Sequence, residues 1–188
     1  MSSWVPRLDG DWPVYLQAEY TNYQYGGLNK YPARDSNGWS LPNCTAWASG
    51  RHLENGYGDY ISPANGFGNA DSWYDASVGF CDRGQDPEIG AIAVWRGGTL
   101  GAGHVAVIEQ YDPATDTALF SNSDWGAPLS LWCYWNYKSG HNPSLGSGYT
   151  FLGYIYPAGN PKPAWYYPII CKKRRKQYGR PRIKRRPV

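Results

Sequence analysis

An α+β fold, with N-terminal helices packed on an antiparallel sheet of about five or six strands, is what this sequence predicts. Three observations carry that expectation. Helix signals fall before residue 80, and β-rich segments follow one another from residue 91 to residue 156. Turn signals separate consecutive strand segments, as adjacent antiparallel strands require. Finally, 188 residues can bury one sizeable core and leave little room for a second full domain.

The elements can be justified in chain order. Residues 1–38 are punctuated by Asp9-Gly10-Asp11, Tyr25-Gly26-Gly27 and Asp35-Ser36-Asn37-Gly38, and read as an irregular arm over the core. Pro42-Asn43 then precedes a helix over 44–55, with Asn43 as N-cap and Asn55-Gly56 at its end. Cys44, Trp47, Ala48, Arg51 and His52 recur at three-and-four spacing, which turns Trp47 and Ala48 inward beside the thiol. A second short helix is expected over 70–78, with Asn69 or Asp71 near its start, followed by a turn at 84–87. Strands are expected at 91–95 and 104–109, joined by a glycine-rich hairpin loop over 96–103. Further strands fall at 117–122, 129–135 and 149–156. After Pro157 the composition changes to a Pro-Lys-Pro linker, a short apolar stretch and a basic tail. The resulting division is an arm (1–38), a central domain (39–157), and a linker with tail (158–188).

Ten of the eighteen Lys and Arg lie between Lys172 and Arg186. Without them eight basic residues face fifteen acidic ones, so the body carries about −7 and the chain is an acidic domain with a basic tail. Such a tail suits wall polyanions, a virion protein or, less well, nucleic acid. Gly179 and Pro181 argue against an amphipathic helix there. Ten Trp, seventeen Tyr and four Phe either pack the core or stack on sugars, and core packing is the first expectation. No apolar run is long enough to span a bilayer, and the first residues show no charged start followed by an apolar run. The expectation is synthesis without a signal peptide, in a reducing compartment with thiols unpaired.

Cys44 at a helix start and His104 at a strand start form the pairing that a thiol hydrolase needs. The positive end of the helix favours thiolate, and an adjacent imidazolium lowers the thiol pKa further. A third group must orient the imidazole. Asn122 is the first choice and Asp124 the second. Glu109 lies five residues from His104, so strand alternation sends it to the opposite face. His52 is two helical turns from Cys44 and too far to activate it. His141 falls in a turn and is expected to be exposed.

These segments resemble the CHAP family of cysteine, histidine-dependent amidohydrolases/peptidases. The resemblance rests on Leu41-Pro42-Asn43-Cys44-Thr45-Ala46-Trp47-Ala48, Gly90-Ala91-Ile92-Ala93-Val94-Trp95 and Gly103-His104-Val105-Ala106-Val107-Ile108. It continues through Ser121-Asn122-Ser123-Asp124-Trp125-Gly126 and Phe151-Leu152-Gly153-Tyr154-Ile155-Tyr156-Pro157. It implies a papain-like α+β fold and cleavage of bacterial peptidoglycan, at the sugar–peptide amide or within the peptide. It also suggests a bacteriophage lysin or tail-associated protein, made in the host cytoplasm and acting on the wall after release or within a particle. Asn43, Trp47, Trp95 and Trp125, in the same motifs, are candidate substrate contacts. Family members often carry Glu and then Asn two residues later, where this chain has Asn122 and Asp124. Some relatives have an acidic calcium loop upstream of the nucleophile. The acidic residues at 9–11 and 35–37 are too sparse for one, so no metal or cofactor is expected. Two other classes remain: a non-catalytic virion protein that binds wall through a CHAP-like fold, and a nucleic-acid-associated protein dominated by its tail.

Overall fold

The computed structural model describes residues 4–8, 33–34, 40–41, 43–57, 60–98, 101–123 and 133–157, with backbone alone at 33–34, 40–41 and 133–138. Two-residue strands β1 (Ala33–Arg34) and β2 (Ser40–Leu41) pair with each other ahead of helix α1 (Cys44–Glu54). Single 3-10 turns follow at Pro63–Asn65 and Ala70–Ser72, and the second runs into a one-turn helix, α2 (Trp73–Ala76). The strands are β3 (Arg83–Gly84), β4 (Ile92–Gly97), β5 (His104–Asp112), β6 (Thr117–Asn122), β7 (Cys133–Ser139) and β8 (Tyr149–Ile155). They form one sheet in the order β3-β8-β4-β5-β6-β7, every neighbouring pair antiparallel. The fold is therefore α+β, with helices preceding a six-stranded antiparallel sheet.

Three local expectations need correction. The helix expected over 70–78 breaks into a 3-10 turn and a single α-turn, because Trp73 drops into the core and Gly79 takes a left-handed φ of 85°. The strand expected over 129–135 runs from 133 to 139, and residues 129–132 lie outside the described residues. Gly84, the first residue of the turn expected at 84–87, instead belongs with Arg83 to β3, which pairs with Tyr154 and Ile155 and closes one edge of the sheet.

Alternation along the central strands explains why the sheet is buried on both sides. Ile92 and Val94 of β4 join Val105 and Val107 of β5 in a cluster with Trp47, Ala48, Phe67 and Trp73 of the helical layer. Ala91, Ala93 and Trp95 join Ala106, Ile108, Phe120 and Tyr154 on the opposite face. That second face is covered by the segment before β8. Trp95 Nε1 donates to the Pro143 carbonyl at 2.7 Å, and the Tyr154 hydroxyl donates to the Gly140 carbonyl.

Helix α1 is buried over Thr45–His52 on all sides, not only along the Trp47–Ala48 stripe. Its outer side is covered by residues 4–8. The element that ties this together is Glu109, the unpaired residue of a bulge between β5 and β6, where Ile108 faces Phe120 and Gln110 faces Leu119. Its wholly buried carboxylate receives Arg51 Nε at 2.8 Å and Arg51 Nη2 at 2.9 Å, a two-pronged ion pair. Ser121 Oγ donates to it at 2.7 Å, Trp4 Nε1 at 3.1 Å and the Arg7 backbone N–H at 3.1 Å. Arg51 also donates to the Val5 carbonyl at 2.8 Å, and its guanidinium lies 5.1 Å from the Trp4 ring centroid. Every polar atom of this buried pair is thus answered, the condition under which burying two charges is tolerable.

Removing Glu109 takes the main counter-charge from the buried guanidinium and leaves it only Glu54, which pairs with its Nη1. Glu109→Ala is expected to destabilise the fold by about 3–5 kcal/mol in urea unfolding, and Arg51→Met with Glu109→Leu by much less. Equal losses for the single and double variants would mean that packing volume, not charge pairing, holds this contact.

Candidate active site

The same network determines where the thiol sits. Along α1, Arg51 meets Glu109, and Trp47 one turn earlier donates through Nε1 to Ser121 Oγ at 2.9 Å. Ser121 lies opposite Val107 in the β5–β6 register. Continuing the same register toward the start of the helix, roughly 10 Å from Arg51, points Cys44 toward the end of the sheet where β5 begins, and Cys44 packs on the cluster that includes Val105, the residue after His104. Asn43 forms the N-cap, as its residue type predicts. Its Oδ1 accepts from the Ala46 N–H at 2.9 Å and from Thr45 Oγ1 at 2.8 Å. Cys44 is half-buried, carries its sulfur as a thiol, and packs against the cluster that contains Trp47 and Val105.

His104 is delivered by a glycine that nothing else can replace. Gly103 adopts φ +73°, and a Cβ there would strike the backbone of Asp71 and Trp95. Its N–H donates to the Gly97 carbonyl at 2.9 Å, while Asp71 N–H donates to the Ala102 carbonyl at 3.0 Å. The approach to His104 is crowded with backbone. The His104 ring lies on the Trp95 side of the sheet, 6.3 Å from that indole, and is 3% exposed.

His104 Nε2 and Asn122 Oδ1 are 3.1 Å apart. An amide oxygen only accepts, so the proton resides on Nε2 and the Nδ1 lone pair is left as the basic site. Asn122 is wholly buried, which fixes the ring by a neutral partner. Burial pushes the His104 pKa down to about 3, opposed by the Asn122 hydrogen bond. The resting ring is therefore a neutral base. The imidazolium expected beside the thiol from sequence is not the form that this environment favours.

The other expected site residues separate clearly. Trp47 and Trp95 are wholly buried, with their indole N–H groups donating to Ser121 and the Pro143 carbonyl. Neither offers a surface to a substrate, which corrects that expectation: both are core residues whose polar edge is satisfied internally. The Asn43 carboxamide oxygen is committed to capping. Asp124 and Trp125 lie outside the described residues. Glu109 stands on the helix side, away from His104, as alternation requires. His52 is buried and donates Nε2–H to the Gly90 carbonyl at 2.9 Å; burial, then the nearby Arg51 charge, pull its pKa down to about 4 against that hydrogen bond. His141 is exposed and pairs with Asp116 at 2.6 Å, far along the chain from this site. Among the described residues no three His, Cys, Asp or Glu side chains converge as a metal site would need. No helix among them is long and apolar enough to cross a membrane.

One neighbour of the site has no motif signal. Tyr149, the first residue of β8, is half-buried, and its phenol lies over Gly98. Burial first, and the charge of the Cys44 sulfur second, raise its pKa above the ordinary phenol value.

Residues 34–124 match the family model of the CHAP domain. That segment is similar to the CHAP domain family. The matched segment contains Cys44, His104 and Asn122 and ends before β7 and β8. No curated protein matches the chain. A CHAP domain is a cysteine- and histidine-dependent amidase or peptidase unit, typically a peptidoglycan hydrolase, and the α+β architecture described above agrees with that family.

The two buried histidines carry a pH consequence. In the unfolded chain both take up protons as pH falls through about 6.5. In the folded chain they resist until about 4 for His52 and about 3 for His104. Between those values the unfolded state binds more protons, so the stability is fully present above about pH 6.5 and is lost as pH falls toward the folded values. Urea midpoints are expected to drop steadily from neutral pH to about 4.5. A level midpoint across that window would contradict burial of the neutral rings.

Proposed function

We propose that the protein is a peptidoglycan hydrolase in which Cys44 is the nucleophile, His104 the general base and then general acid, and Asn122 the group that orients His104. The observation that supports this reading is the His104–Asn122 hydrogen bond, with Cys44 at the start of the helix that packs on the strand carrying His104. Substrate binds with its amide carbonyl carbon against the sulfur. As sulfur attacks, the S–H proton passes to His104 Nδ1, giving an imidazolium whose Nε2–H still bonds Asn122. The negative oxygen that forms is stabilised at the positive end of α1. The C–N bond then breaks, and the Nδ1 proton goes to the departing amine. Water, deprotonated by the same nitrogen, hydrolyses the thioester, releases the carboxylate and returns the proton to sulfur.

Within this reading we favour a bacteriophage lysin or virion-associated wall-degrading protein, supported by the motif resemblance at Cys44 and His104. The residues between Lys172 and Arg186 supply a cationic segment for wall polyanions or a virion partner.

Cys44→Ala is expected to lose wall-clearing activity by at least about a thousandfold with its unfolding midpoint unchanged. Full activity in that variant would reject the thiol mechanism. Mass spectrometry of digested wall then assigns the bond: a new N-terminal alanine on the stem marks amidase action, a new terminus inside stem or cross-bridge a peptidase. Truncation after Ile170 is expected to weaken wall binding and flatten its salt dependence, and unchanged binding would remove the tail from this role.

A further inference from the structure

We propose, resting on the thiol-hydrolase reading, that the Tyr149 hydroxyl donates a hydrogen bond to the carbonyl oxygen of the scissile amide as it reacts at Cys44. The placement follows from strand register. Trp95 of β4 lies opposite His104 of β5 on one side and Phe151 of β8 on the other, so β5 and β8 begin at the same end of the sheet. Tyr149 faces Gly97, and the Gly97 carbonyl also takes the N–H of Gly103, the residue before His104. Tyr149 and His104 thus stand two strand spacings apart, roughly 10 Å between backbones.

The phenol closes much of that gap. At Gly98, the next residue after the end of β4, a methyl group would overlap the Tyr149 oxygen and the ring carbons beside it. The side chain therefore leans from β8 across the end of β4, toward the strand that carries the imidazole. Gly98, at φ +85°, anchors this corner by donating its N–H to the Gly148 carbonyl at 2.9 Å. One side of the Tyr149 ring packs with the apolar cluster around Trp95, and the residue stays half-exposed, so its polar tip is held yet reachable. Negative charge developing on the sulfur is felt at this oxygen, and burial with that charge pushes the phenol pKa up, so it remains a neutral O–H donor. A donor held in place beside the sulfur gains strength as charge develops on the carbonyl oxygen, so its effect belongs in kcat and not in KM.

The test compares Tyr149→Phe with the unaltered protein on purified peptidoglycan, alongside the rate at which iodoacetamide alkylates Cys44. The expected result is a roughly hundredfold fall in kcat with KM, alkylation rate and unfolding midpoint unchanged. Gly98→Ala, which keeps the phenol and displaces its oxygen, is expected to reproduce the loss in milder form, and it decides the matter if Tyr149→Phe does not fold. The proposal is overturned if folded variants keep full kcat, if the whole effect appears in KM, or if alkylation falls in step with kcat. An active Cys44→Ala protein sinks the thiol reading and this role together; an inactive one beside a fully active Tyr149→Phe protein sinks this role alone.

Discussion

The geometry of the site depends on a contact that takes no part in it, the buried pair of Arg51 and Glu109. A helix lying on a sheet is free to slide and rotate unless something directional holds it, because apolar packing alone is tolerant of small shifts. Here a planar guanidinium engages a carboxylate at 2.8 and 2.9 Å, and Ser121 passes the constraint to Trp47 through its hydroxyl. Two successive turns of α1 are thereby registered against β5 and β6. The start of the helix has one position left to it, and Cys44 occupies that position.

The bulge at Glu109 makes this possible. An extra residue in β5 leaves Glu109 without a cross-strand partner, turned toward the helix, while His104 five residues earlier keeps to the other face. The strand therefore serves two purposes on two sides: it anchors the helix with a charged group and presents a base with a neutral one. Asn122 and Ser121 divide β6 in the same way. Had the imidazole been oriented by a carboxylate, the buried imidazole and carboxylate would favour a charged pair in the resting protein. A carboxamide supplies direction without that bias, which fits the strong downward pull of burial on His104.

Much of this was legible in the sequence, for reasons that differ by element. The Pro-Asn step before Cys44 is a strong local helix start, since the side-chain oxygen of Asn43 meets the Ala46 N–H within four residues. The run from 91 to 122 is β-branched and broken by glycine, and its pairing is between neighbours, so sequence order nearly determines topology. Alternation alone separated Glu109 from His104. What alternation lacks is the partner on another element: nothing near Glu109 announces Arg51, 58 residues away, or the Trp4 arm that closes over both. The tryptophans at 47 and 95 illustrate a different limit. A Trp beside a reactive residue can be a core plug or a sugar platform, and full burial with a bonded indole N–H makes Trp47 and Trp95 the former. Tyr149 was silent because its relevance comes from the bare backbone at Gly98, a property of a neighbouring strand.

The division of labour between the two faces also bears on how such a site tolerates its own burial. A half-buried thiol and a buried imidazole form a poor place to store opposite charges before substrate arrives, because water that would solvate them is excluded from the imidazole side. In the proposed mechanism, keeping the ring neutral postpones charge separation until the amide oxygen begins to accept it. At that moment the positive charge gathers on His104, above a fixed carboxamide, and the negative charge gathers near the helix start. Both ends of the developing dipole then meet groups whose positions were set during folding, so little reorganisation remains for the reaction itself. The rigid registration of α1 by Arg51 and Glu109 is the structural condition for that economy, since a helix free to slide by a single ångström would carry the sulfur away from the base.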